Sequence, residues 1–162
     1  MNVALRRATL MVCVLAGALA LAVALVVARD ASAAPPEPVT DSFTVDDVCD
    51  FPVLLEATGK TKGIELPGGR FISVNPGFRV TVTNEEEPTH QITYVITGAA
   101  HVTELDSGEL LVVFTGRNLL FDPSYGMLLT MGRFTQVIDP ETGASTPPEG
   151  KGRVIDVCER LG

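Results

Sequence analysis

The feature that most constrains this chain is a period of two. "HQITYVITG" sets His90, Ile92, Tyr94 and Ile96 on one side and Gln91, Thr93, Val95 and Thr97 on the other. "FRVTVTN" sets Phe78, Val80 and Val82 against Arg79, Thr81 and Thr83. Successive side chains of an extended chain point to opposite faces. This alternation, rich in β-branched and aromatic residues, therefore marks half-buried antiparallel strands. Further strands are expected over 53–58, 63–66, 70–74, 100–105, 109–120 and 126–138. Turn chemistry separates them: "PGG" at 67–69, "NPG" at 75–77, "NEEEP" at 84–88, "DSG" at 106–108 and "DPSYG" at 122–126. The expected fold class is all-β, a single antiparallel β-barrel-like domain, with a β-sandwich as the alternative.

The chain has a different beginning. "MNVALRR" is a short basic head, and residues 8–28 are an unbroken apolar or small run. Ala31-Ser32-Ala33 then fits the small-x-small pattern cut by signal peptidase. Residues 1–33 thus read as a signal peptide forming a hydrophobic helix. The alternative is an uncleaved membrane anchor over 8–28, with Arg6 and Arg7 on the cytoplasmic side. "APPEPVTD" at 34–41 reads as a Pro-rich linker, and 42–162 as the antiparallel β domain. Near the C-terminus, the polar stretch at 139–152 reads as a long loop. "RVIDVCERLG" after it fits either a strand or a short helix.

Removing residues 1–33 takes away Arg6, Arg7, Arg29 and Asp30, and leaves nine Lys/Arg against 19 Asp/Glu. That balance argues against a nucleic-acid partner and against electrostatic docking on anionic lipid, both of which need clustered cations. Membrane contact is expected only through the N-terminal segment if it is not cleaved. Of the three cysteines, Cys13 lies in the signal, which leaves Cys49 and Cys158 near the two ends of the domain. An exported pair meets an oxidising compartment and is expected to form a disulfide.

Little in the chain points to catalysis. There is no Gly-x-Ser-x-Gly elbow and no phosphate-binding glycine loop. His90 and His101 fall on different strands without ligand spacing, so no metal site and no cofactor are expected. Gly-Arg, however, occurs four times, at 69–70, 116–117, 132–133 and 152–153. Glycine weakens a strand unless the sheet must bend or another backbone must come close. A turn centred near Tyr125 would place Arg117 opposite Arg133, with Gly116 near Gly132. Two arginines side by side need a negative group between them. That group is either a carboxylate of the chain or a ligand clamped by Arg117 and Arg133, with Asn118 as an added donor. The flanking "ELLVVF" and "GMLLTM" are apolar on both faces, so the hairpin should be covered on both sides.

"CDFPVLLEATGK", "LPGGRFISVNPGFRVTVTN", "GAAHVTELDSGELLVVFTGRNLLFDPSYGMLLTMGRF" and "GRVIDVC" resemble small secreted β-domain proteins common in high-GC Gram-positive bacteria. The resemblance implies export, one β domain and paired cysteines, and it carries no catalytic residue. The leading expectation is a non-enzymatic binding or interaction module, secreted or cell-wall associated. A small barrel isomerase, cyclase or carrier for an apolar carboxylate is the second reading, and a self-associating surface protein the third.

Overall fold

The computed structural model of the protein describes residues 35–162; the expected signal peptide or anchor over 1–33 lies outside the described residues. Nine strands follow in chain order: β1 (Glu37–Val45), β2 (Val53–Leu66), β3 (Arg70–Val74), β4 (Arg79–Asn84), β5 (Gln91–Val95), β6 (Ala99–Glu104), β7 (Leu110–Asp122), β8 (Gly126–Ile138) and β9 (Glu149–Asp156). A single helical turn, α1 (Cys158–Leu161), closes the chain. The ambiguous C-terminus is therefore strand first and helix second.

All pairings are antiparallel. β2 pairs with β3 along its second half and with β4 along its first, and β6 and β5 add to β3 and β4 in the same order. β3–β4 and β5–β6 are thus each one pass of a meander, broken by a bend at 75–78 and at 96–98. Every other long strand bends on the same line: β2 at Gly59, β7 at Gly116, β8 at Gly132 and β9 at Gly152, all four with positive φ. The sheet is folded along that line.

Folding divides the apolar residues into two cores. The larger lies between the leaf of β1, β2, β4 and β5 and the far halves of β7, β8 and β9. Val53, Leu55, Val80 and Val82 meet Phe121, Met127 and Leu129 there, and Val157 and Leu161 close the end. Leu55, Met127 and Leu161 are almost fully buried, worth roughly 1.5–3 kcal/mol each. The smaller core holds Ala100, Val102, Val112, Phe114 and Leu120 on the other face of the sheet.

Two expectations change here. Among the described residues β1 pairs only with β2 and β9 only with β8, so the sheet stays open, as the sandwich alternative requires, and barrel-like closure is not found. The bends are real, but they lie on one line. They bring face against face rather than edge against edge. A disulfide joins the two ends instead: Cys49 and Cys158, with Cα atoms 5.4 Å apart. Second, β1 begins at Glu37, inside the stretch read as a linker. Val39, Phe43 and Val45 alternate onto the larger core, and Pro38 is tolerated because β1 is an edge strand.

Candidate functional site at the elbow of the long hairpin

β7 and β8 pair over their full thirteen residues, from Leu110 opposite Ile138 to Asp122 opposite Gly126. Asp122 builds the turn. Its Oδ1 accepts from Ser124 N at 2.8 Å and Ser124 Oγ at 2.6 Å, and its carbonyl from Tyr125 N at 3.2 Å. The turn is centred on Ser124, one residue earlier than the sequence suggests. That moves the register by two. Gly116 does face Gly132, but Arg117 faces Met131 and Arg133 faces Thr115. The facing Arg117–Arg133 pair is not formed.

Asn118 is also placed differently from its expected role. It is buried, packed against Gly98, and its Nδ2 donates to the Thr115 carbonyl at 3.1 Å. Its donor is used inside the fold. Gly98 in turn donates to the Arg117 carbonyl at 2.8 Å, and a Cβ on Gly116 would lie 3.2 Å from Gly98 Cα. The glycines allow backbones to cross at close range.

The bend at this line is sharp. Strand residues 126–136 would span about 33 Å if straight. Yet Gln136 Nε2 donates to Tyr125 Oη at 2.9 Å, joining the base of one arm to the tip turn. The loop at 139–148 completes the clasp. Ser145 N and Oγ donate to Asp122 Oδ2 at 3.2 and 2.8 Å, and Gln136 Nε2 donates to the Thr146 carbonyl at 2.7 Å. This network lines the inner side of the elbow with Leu120, Phe114 and Ile138 of the smaller core. The hairpin is thus covered on one face by the smaller core and the C-terminal loop; on its other face the far half packs on the larger core, while Leu111, Val113 and Val137 of the near half are only partly buried and belong to neither core. Burial pushes the Asp122 carboxyl up, but the hydrogen bonds from Ser124 and Ser145 together outweigh it and hold it below the ordinary aspartate value. Burial raises the Tyr125 phenol.

The outer side of the elbow is built from the Gly-Arg pairs. Gly116, Gly132 and Gly152 form one rung across β7, β8 and β9. Next to it, on one side, Arg117, Met131 and Arg153 form a rung; on the other, Thr115, Arg133 and Lys151 do. Residues paired across strands share a face. Arg117, Arg133, Lys151 and Arg153 are all exposed, and among the described residues the salt bridge recorded is His90–Glu87, elsewhere in the fold. Sequence reasoning reached two of these four. The pair Gly152-Arg153 was visible, but the polar "STPPEGKG" before it hides the start of β9 and with it Lys151. The fourth pair, Gly69-Arg70, lies in the β2–β3 turn, where Arg70 Nε donates to the Pro67 carbonyl at 3.2 Å.

The histidines have separate settings. His90 Nδ1 lies 2.9 Å from the Leu161 carbonyl and joins the loop after β4 to α1, while His101 is exposed on β6. Comparison with known families, curated proteins and solved structures finds no match to this chain.

Proposed function

We propose that this protein is an exported, non-enzymatic binding module of the extracellular space or cell wall, and that the outer side of the elbow is its contact face. The observation that carries this reading is the gathering of four exposed cations on three adjacent strands of an otherwise acidic domain. The Cys49–Cys158 bond suits an oxidising compartment, and the resemblance to small secreted proteins points the same way. An isomerase, cyclase or carrier working in a lumen would need a cavity of about 300 Å³ or more. The space between the leaves is occupied by the larger core. Self-association through the hairpin has less to work with, because Val154 is the exposed large hydrophobic residue of the described chain.

The test is fractionation of the cell that makes the protein. At low ionic strength the protein is expected in the surface fraction, and at about 0.5 M salt, where charges are screened within a few Å, in the supernatant. Free protein in the medium at low salt would refute attachment of the module to the cell wall through this face. Release by detergent alone would favour the anchor over 8–28.

A further inference from the structure

The outer face of the elbow has a charge problem. Arg133 and Lys151 are directly opposite on neighbouring strands, and like charges so placed repel. Arg117 and Arg153 stand on either side of Met131, beyond the glycine rung. The domain has nine Lys/Arg and 19 Asp/Glu after residue 33, so counter-charges are not scarce. Even so, none is placed on these two rungs, which Thr115 and Met131 complete. Glu149, opposite Thr135, stands at the rim of the patch.

Resting on the module reading, we infer that this face binds a linear, base-free phosphate polymer. Four features favour that occupant. Neighbouring strands are about 4.8 Å apart and alternate residues along a strand about 6.6 Å, so the four cations are set out in steps of about 5–8 Å across three strands. They outline a patch about 10 Å by 7 Å, wide enough for several repeating charges rather than a cup for a single ion. The cations sit on the face of the hairpin opposite the smaller core, beside Met131, which packs against the larger core. The exposed glycines between the two rungs leave no side chain in the polymer's way. Three of the four are arginines, whose planar fork matches phosphate oxygens. No aromatic residue belongs to either rung, so there is no platform on which a nucleobase could stack.

The probe is inorganic polyphosphate, titrated into the intact exported protein by calorimetry at several salt concentrations. Binding is expected to weaken with a slope of about −2 to −3 in log affinity against log salt, the value for three or four neutralised phosphates. The double variant Arg133→Gln/Lys151→Gln should bind roughly tenfold more weakly or worse. Lys60→Gln/Arg79→Gln makes the same change in net charge on β2 and β4 and should stay within about twofold. Lys151→Glu should bind more weakly still yet melt higher, by roughly 1–3 °C, because it removes the repulsion with Arg133. Equal loss in both double variants, a lower melting temperature for Lys151→Glu, equal affinity for polyglutamate, tighter binding of single-stranded DNA, or no binding at all would each overturn the inference. If polyphosphate fails to bind while salt still releases the protein from cells, the ligand class is wrong and the module reading stands.

Discussion

The two sides of the elbow solve opposite problems with the same strands. On the inner side, polar groups are buried, and each finds a partner within the chain: Asp122 with Ser124 and Ser145, Gln136 with Tyr125 and Thr146. On the outer side, the charges are exposed, and two like charges face each other across a ladder. The inner side is therefore where stability is sensitive, since a buried donor left without an acceptor costs about 1–3 kcal/mol. The outer side can change at little cost to the fold, and that freedom suits a contact surface. A group positioned for stability and a group positioned for contact are distinguished here by what each has for a neighbour.

Breaking the bend itself should have the largest effect, because both sides depend on it. A Cβ on Gly132 would run into the Lys151 carbonyl and come within 2.8 Å of Gly152 Cα, at a φ of +144°. Gly132→Val is expected to lose about 3 kcal/mol or more, read as a large fall in melting temperature. A variant that melts like the parent would mean the strands do not cross so closely. Asp122→Ala comes next, at about 2–3 kcal/mol, because it removes the carboxylate that accepts four hydrogen bonds from Ser124 and Ser145.

The same carboxylate gives a pH dependence of defined sign. Its folded pKa is lowered, so its contribution is complete above the unfolded aspartate value of about 3.9 and is lost as pH falls through the lower folded value. Urea midpoints between about pH 5 and 3 should therefore fall more steeply for the parent than for Asp122→Asn. Parallel curves would remove Asp122 from the clasp. The smallest effect belongs to the outer side. Arg117→Gln should leave stability within about 0.5 kcal/mol, and a loss as large as that of Asp122→Ala would erase the contrast between the two sides.

Much of this fold was legible because it rests on local rules. The alternation in 78–83 and 90–97 located strands, and "DPSYG" located the long turn. The paired cysteines form the expected bond. What was hidden depends on where the hairpin turns. Asp122 draws Ser124 back onto its own side chain, so the hairpin turns one residue early and Arg117 meets Met131. β1 was hidden for another reason: Pro36 and Pro38 read as a linker, although Val39 and Phe43 keep the strand period. Closure was misjudged because glycine signals that a strand bends, but not whether neighbouring bends fall on one line. Lys151 and Arg153 joined the site only through the β8–β9 ladder, and the glycines of β9 that bring the strands close are the same residues that make 149–152 look like a loop.

The disulfide also sets how the molecule carries a pull. Cys49 and Cys158 are 109 residues apart, so tension applied between residue 35 and Gly162 runs through the sulfurs and bypasses everything enclosed between them. Only the stretch holding β1 and the final turn can be drawn out, about 50 Å for the fifteen residues 35–49 at full extension. If its N-terminus is tethered and its elbow is engaged, however, the force enters at β7–β9, inside the closed loop. The hairpin ladders would then bear the load that the bond carries when the two ends are pulled.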